Sequence, residues 1–201
     1  LNIPACLHIF LLFYSAILYL PLLSFRVNLG VEKYRNKSAM LAKLPAHSYL
    51  DEKNIAYEIR NFADTTEKGA ANVARALGFR ERQMVKTLVF GTDRGDYALI
   101  MVGGDQSAVS GLLKKALGSR NISMAKPEIV QQITGYVIGS IPPFHWQPDG
   151  FCSIVEASLM QEEILGVGAG VWGNEILITP ANLVAASQAK VVNLTDKSLI
   201  D

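Results

Sequence analysis

The segment Gly135-Tyr136-Val137-Ile138-Gly139-Ser140-Ile141-Pro142-Pro143-Phe144 constrains this chain more than any other. Two glycines open backbone conformations that other residues avoid. Two prolines fix their own φ and lack N–H groups. Ile141 and Pro142, each preceding a proline, are held in extended geometry. The product is a stiff loop, expected to leave backbone N–H groups free at Gly139, Ser140 and Ile141. Such groups can hold a carbonyl oxygen or an anion. The same composition also suits a plain turn between two elements, and the segment by itself does not choose.

Upstream, Met84-Val85-Lys86-Thr87-Leu88-Val89-Phe90 reads as a strand ended by Gly91. Lys86 lies inside it, either turned to solvent or supplying a fixed positive charge to a cleft. Strand and loop, with two further blocks, resemble the YbaK/ProX family of aminoacyl-tRNA deacylases, which is related to the editing insertion domain of bacterial prolyl-tRNA synthetase. Gly139-Ser140-Ile141-Pro142-Pro143 fits the family's GxxxP motif, and Val85-Lys86-Thr87-Leu88-Val89 fits its lysine strand. Ala70 to Gly78 looks like its first helix. Gly168-Ala169-Gly170 and Glu175 to Leu183 look like its closing strand and helix. Order and spacing carry the resemblance, which runs from about Met40 to the end.

With 201 residues, half of them hydrophobic, the chain can bury a real core in one domain. Formal charge is +1, with +3 in residues 1–39 and −2 in residues 40–201. A near-neutral domain is no general nucleic-acid binder, so RNA contact requires local patches. Arg75, Arg80, Arg82 and Lys86 form one candidate, and Lys114, Lys115 and Arg120 another; both also suit solvated faces. Cys6 and Cys152 show no CxxC spacing, which fits a reducing, cytoplasmic setting. His8, His47 and His145 lie far apart, and no zinc, Walker or GxSxG pattern occurs. Gly103-Gly104-Asp105 reads as a turn. No metal or organic cofactor is expected.

Residues 3–25 carry no charge and are long enough to span a bilayer, with basic residues following. Three readings remain for residues 1–39: a membrane anchor, a buried or amphipathic extension, and non-native upstream sequence before a start at Met40. The last is preferred, because Met40-Leu41-Ala42-Lys43-Leu44-Pro45 looks like a natural beginning, and residues 40–201 then form the deacylase domain.

Periodicity predicts helices over 39–54, up to Leu77, from Ser107 to Leu117, over 127–133 and over 180–189. It predicts strands over 55–62, 85–91, 96–102, 122–125, 151–155, 163–167, 175–178 and 190–194. Thr65-Thr66-Glu67-Lys68 is expected to cap the second helix, and Asp93-Arg94-Gly95-Asp96 to turn a hairpin. Strands and helices do not alternate strictly, so an α/β fold with a mixed sheet and helices around it is expected. The resemblance adds that the sheet is curved and partly closed.

The resemblance also implies the chemistry: a free-standing trans-editing hydrolase that cleaves the ester of misacylated tRNA, with Cys- or Ala-tRNA-Pro as typical targets and prolyl-tRNA synthetase as a possible partner. Lys86, Gly139 and Ser140 would be catalytic, and Ile141, Pro142, Pro143, Phe144, Glu156 and Gly168 would bind substrate. A substrate hydroxyl or side chain would assist the attack. Glu156 stands where the family often has Asp, and suits either the substrate amino group or an ordinary surface. His145 replaces a customary glycine and is read as an exposed loop residue rather than a general base. Phe144 and Trp146 suit either the core or stacking on the terminal adenine. Cys152 is read as a buried structural cysteine rather than a nucleophile. A non-catalytic tRNA- or synthetase-binding module of the same fold is the alternative.

Overall fold

Apolar runs with β-branched residues make the centre of the fold, and the computed structural model describes them within residues 43–196. Strand β1 (Glu58–Asn61) is followed by β2 (Val85–Thr92), β3 (Tyr97–Gly103), β4 (Ile122–Met124), β5 (Cys152–Glu156), β6 (Leu165–Gly168), β7 (Asn174–Ile178) and β8 (Lys190–Val192). Helices α1 (Pro45–Glu52), α2 (Ala70–Leu77), α3 (Ser110–Leu117), α4 (Pro127–Thr134) and α5 (Pro180–Ser187) connect them. Two short 3-10 turns cover Glu81–Gln83 and Ala157–Gln161. The expected elements are present, with ends displaced by a few residues; the part of the first helix expected over 39–42 lies outside the described residues. The proposals for residues 1–39 lie outside the described residues. No helix among the described residues is long and apolar enough to cross a membrane.

The mixed sheet exists in two pieces. Five strands run in the order β4-β2-β3-β5-β8, and three in the order β1-β7-β6. β2 pairs antiparallel with β3 and β4, whereas β3-β5 and β5-β8 are parallel. The three-stranded sheet is antiparallel throughout. An isolated parallel bridge, Met84 to Gly166, joins the two sheets, so the sheet expected to be partly closed stays open beyond that point. Along β2, β4 covers only Phe90 to Thr92. The edge between that strand and the Met84 bridge carries no strand partner among the described residues, and a cleft forms there.

Alternation along the strands sorts side chains into two principal cores. Val89, Leu99, Met101, Val155, Ile176 and Ile178 face the larger one, which also receives Ile141 and Phe144 of the glycine-proline loop. Ala98, Ile100, Val102 and Ile154 face the smaller one, with α3 packed through Leu113 and Leu117. A third cluster joins α2, through Val73 and Ala74, to Met84.

Helix ends follow their chemistry at the C-terminal side. Gly78, Gly118 and Gly135 close α2, α3 and α4 in the left-handed conformation. Pro127 and Pro180 open α4 and α5 at positions where no N–H is needed. Two N-terminal expectations are corrected. Gly69 precedes α2 with no side-chain cap, so Thr65 and Thr66 do not cap it; Thr66 instead accepts the Trp172 indole N–H through its carbonyl at 3.2 Å. The third helix starts at Ser110 rather than Ser107, because Val109 N–H is drawn into a 2.7 Å bond with the Leu194 carbonyl. Gly103 ends β3, and Gly104-Asp105 form the expected turn. A β-carbon at Gly104 would lie 2.4 Å from the Glu81 carbonyl oxygen, so this glycine allows two backbone segments to touch.

Candidate functional site

The glycine-proline loop is fixed from both sides. Gly139 takes φ +100°, in the region that favours glycine. Ser140 turns back on Val137: its N–H and its hydroxyl each donate to the Val137 carbonyl, both at 3.2 Å. Its own carbonyl accepts the Gly170 N–H at 2.8 Å. The free Ser140 N–H expected from sequence is therefore already bonded inside the turn. Gly139 and Ile141 keep theirs; within the described residues neither N–H has a hydrogen-bond acceptor.

Beyond Ser140 the loop dives inward. Ile141 through Phe144 are buried, and Phe144 stacks on Tyr49 at 5.8 Å. The Pro142 carbonyl accepts the Trp146 indole N–H at 2.6 Å, and the Pro143 carbonyl accepts Gln147 Nε2 at 2.8 Å. These bonds hold the rigid base of the loop. Pro142, Pro143 and Phe144, expected to bind substrate, do not line the cleft; nor does Trp146, which packs edge-on against Phe151.

The cleft beside the loop has a volume of about 360 Å³. Gly139, Ile141, Lys86 and Gly168 line it, so four of the residues singled out from sequence meet in one place. Lys86 lies on the strand face shared with Leu88 and Phe90, opposite the Val85 and Val89 face that joins the larger core. Its ammonium donates to the Gln106 carbonyl. Gln106 is itself held: its Oε1 accepts the Gly103 N–H at 2.9 Å, and its Nε2 donates to Ser158 and Thr195. The Lys86 charge is thus tethered at the mouth of the cleft, and an incoming anion or carbonyl would share or replace its backbone partner.

Four further lining residues were not read from sequence as parts of a site. Trp172 approaches the loop closely enough that a β-carbon at Gly139 would lie 3.8 Å from its ring, and it meets Phe62 edge-on at 5.0 Å. Lys68 adds a second cation at the rim. The Thr87 hydroxyl is buried without a hydrogen-bond partner. Glu175 is 7% exposed, and burial pushes its carboxyl up to about 8. A glutamate at a strand start resembles an ordinary edge residue, so nothing in the sequence marks this one. The clue is relational: its partner across β6 is a glycine, Gly168.

Glu156 has a different task from the one expected. It is 2% exposed, its Oε1 accepts the Ser158 N–H at 3.1 Å, and its Oε2 accepts the Leu194 N–H at 2.6 Å. It caps the 3-10 turn and fastens the chain after β8, and it does not line the cleft. Neither a surface position nor a substrate contact describes it.

His145 and Cys152 sit elsewhere. Both line a second cavity, of about 520 Å³, with Tyr49, Lys53 and Lys190. His145 is half-buried rather than exposed, bonds Tyr136 Oη at 2.8 Å, and burial lowers its pKa. Its φ of +75° explains why glycine suits this position. Cys152 is half-buried, and burial raises its thiol pKa, which disfavours the nucleophilic thiolate. No group of three or more His, Cys, Asp or Glu side chains among the described residues is arranged to hold a metal.

The basic patches differ. Arg80 pairs with Glu162 and Arg82 with Asp105, which neutralises much of the first. Lys114, Lys115 and Arg120 surround an open surface hollow and have no ion pair among the described residues.

A mixed sheet, a GxxxP loop with two open N–H groups and a lysine-bearing strand at one cleft are joined by sequence evidence of kinship. The model of the aminoacyl-tRNA editing domain family matches residues 65–186, more than half of the chain. The chain belongs to the aminoacyl-tRNA editing domain family. Among its relatives is EbsC of Enterococcus faecalis, provisionally named a Cys-tRNA(Pro)/Cys-tRNA(Cys) deacylase. It is 23% identical over 156 residues, covering 77% of this chain and 94% of the relative. The multifunctional Ser/Thr-tRNA deacylase ProXp-y of Escherichia coli is 28% identical over 120 residues, covering 59% of this chain and 70% of its own. In fold, the chain resembles a crystal structure provisionally described as a trans-editing enzyme for prolyl tRNA synthetase, with TM-score 0.68 and 24% identity over 76% of this chain and 98% of that one. All motifs of the cleft, from Lys68 to Glu175, fall inside the matched editing domain.

Proposed function

We propose that the cleft hydrolyses the ester bond of misacylated tRNA. The observation that carries this reading is the meeting of Gly139, Ile141 and Lys86 in the lining of one cleft of an editing-domain fold, with the Gly139 and Ile141 N–H groups unbonded within the described residues. A carbonyl oxygen placed at the loop would meet donors that are fixed before substrate arrives. One such donor contributes about 3 to 4 kcal/mol to the transition state. Lys86 would steady the terminal adenosine, its phosphate or the carbonyl by charge, and Trp172 offers the ring on which an adenine can stack. Cysteine and histidine side chains are missing from the lining among the described residues. Kinship with the deacylases assigns the attack to a water assisted by the substrate, through its terminal-ribose hydroxyl or the amino-acid side chain.

The amino acid is small: cysteine and alanine on tRNA-Pro are the first candidates, and the name of the Escherichia coli relative adds serine and threonine. Prolyl-tRNA synthetase is the natural partner in handing over such a product, and the cytoplasm the natural place. The open cations Lys114, Lys115 and Arg120 suit the tRNA backbone.

Incubating the purified protein with a panel of labelled misacylated tRNAs tests the reading. Release of the amino acid from at least one, at a rate well above spontaneous hydrolysis and lost in Lys86→Ala, is expected. Tight tRNA binding without release would turn the reading into that of a binding module.

A further inference from the structure

The cavity of about 520 Å³ that His145 and Cys152 line lies toward the other end of the five-stranded sheet from Lys86. Register fixes the separation. Lys86 pairs with Val102 near the end of β3, whereas Cys152 pairs with Ala98 near its start. The two positions are about 13 Å apart along that strand. β5 and β8 run parallel to β3, and the cavity sits where both begin, at Cys152, Ser153 and Lys190. No group of the proposed ester hydrolysis lies there.

Several polar side chains of this cavity are already spent on the protein. Tyr49 Oη donates to the Ala186 carbonyl at 2.8 Å, Ser187 Oγ to the Leu183 carbonyl at 2.7 Å, and Gln147 Nε2 to the Pro143 carbonyl at 2.8 Å. What is left is rich in donors. Ser153 is 4% exposed, and its hydroxyl is buried with no hydrogen-bond partner among the described residues. Alternation puts it on the face of β5 shared with Val155, the side on which Tyr49, Phe151 and Ala186 wall the cavity. A buried hydroxyl is normally paired, so this one calls for an explanation.

Lys53 and Lys190 add two ammoniums to the lining, and neither makes an ion pair among the described residues. The Lys53 ammonium stands 5.9 Å from the centre of the Tyr49 ring. At Cys152 burial raises the thiol pKa and the Lys190 charge pulls against it, which places that charge beside the cavity wall. Gly150 takes φ +79° in a turn closed by the Phe151 N–H on the Pro148 carbonyl at 3.0 Å, and its own N–H has no acceptor among the described residues. One carboxylate, Asp149, stands against the two ammoniums, and burial favours the neutral form of His145. The lining therefore keeps an excess of positive charge and of unspent donors.

We propose that this cavity binds a phosphate group, held by the Lys53 and Lys190 ammoniums and the Ser153 hydroxyl. Phosphate is favoured over carboxylate by the spread of the donors. Lys53 follows α1, Gly150 and Ser153 flank the start of β5, and Lys190 opens β8. A tetrahedral phosphate accepts from several directions at once, whereas the acceptor sites of a carboxylate lie in one plane. Lysine binds phosphate as a point charge and needs no forked geometry. The volume falls in the range of sites for small organic ligands, so a low-mass phosphate ester fits with its organic part inside. A phosphodiester of tRNA offers the same chemistry at the rim.

Nitrogen-15 NMR titration of the intact protein at low ionic strength tests this, with inorganic phosphate as the first probe and sodium chloride of matched ionic strength as the control. Phosphate should shift the Gly150, Ser153 and Lys190 amides saturably, and chloride should not. Lys53→Met combined with Lys190→Met should weaken phosphate by about tenfold or more, and Ser153→Ala by about fivefold. Ser153→Ala should also keep its thermal unfolding midpoint or raise it, because no hydrogen bond within the protein is lost; weaker binding then does not report a weaker fold. Adenosine 5′-monophosphate, adenosine and deacylated tRNA distinguish the sources. Binding of the monophosphate more tightly than phosphate, with adenosine inert, assigns a low-mass ester. Displacement of phosphate from these amides by tRNA, at lower concentration than the monophosphate needs, assigns the tRNA backbone. Shifts that fail to saturate, that chloride reproduces, or that persist unchanged in the variants overturn the proposal, as does a phosphate response confined to Lys114, Lys115 and Arg120.

Discussion

Gly168 of β6 lies directly against the backbone of Ser140: a β-carbon on Gly168 would stand 2.8 Å from the Ser140 carbonyl carbon and 2.9 Å from its oxygen. This contact, with the Gly170 N–H bond to the same carbonyl, sets the distance between the three-stranded sheet and the glycine-proline loop. The cleft owes its shape to it. Gly168→Ala must push the loop away, because the obstructing atoms are backbone and cannot rotate aside. Overpacking of this kind costs about 1 to 3 kcal/mol. Urea unfolding of the variant should show that loss, and deacylation should fall more than stability does, since the two open N–H groups move with the loop.

Gly139 constrains shape in another way. Its surroundings leave room for a methyl group, but φ +100° does not suit an L-residue. Gly139→Ala is expected to re-form the loop with a different φ and to displace the 139 and 141 donors, lowering kcat by about a hundredfold to a thousandfold, with a near-native circular dichroism spectrum. His145→Ala and Cys152→Ala, which change the other cavity, should keep most of the activity.

Glu156 holds two backbone N–H groups in the interior. Glu156→Ala leaves both without an acceptor, at about 1 to 3 kcal/mol for each group. The expected signature is a lower unfolding midpoint and faster amide exchange at Ser158 and Leu194. The folded fraction should retain an unchanged KM, which a substrate-binding residue would not.

Glu175 ties stability to pH. Its folded pKa, near 8, lies above the usual carboxyl value of 4.5. Between those values the unfolded chain has released the proton and the native state keeps it, so stability falls as pH rises from about 4.5 to about 8 and levels off above. The charged groups that share its cleft are Lys68 and Lys86, with Arg60 beside it in the sheet. The wild type should lose several kcal/mol across this window at most, and Glu175→Gln should flatten that part of the profile. Thermal unfolding at several pH values reads the difference directly.

Much of this was legible in the sequence because local chemistry governs it. Pro127 and Pro180 begin helices, glycines end them, and the Val85 strand and the GxxxP loop declare themselves by composition. Lys86, Gly139, Ile141 and Gly168 do share a cleft. What escaped depends on contacts distant in the chain. The Ser140 N–H closes a turn on Val137. Glu156 meets Leu194 across the fold. Phe144 finds Tyr49, almost a hundred residues away. Trp172 and Glu175 become cleft residues only because β6 and β7 bring them beside the loop. His145 was the intermediate case: the departure from glycine was visible, but its left-handed backbone was not.

The central claim is that the cleft beside Gly139 is an esterase site for misacylated tRNA. Single-turnover hydrolysis of Cys-, Ala-, Ser- and Thr-acylated tRNAs, alongside correctly charged Pro-tRNA-Pro, measured for the wild type and Gly139→Ala, tests it most directly. The account predicts rapid release from at least one misacylated tRNA, sparing of Pro-tRNA-Pro, and a loss of at least a hundredfold in a folded Gly139→Ala protein. Equal rates for wild type and variant, or no release from any of the tRNAs, would contradict it.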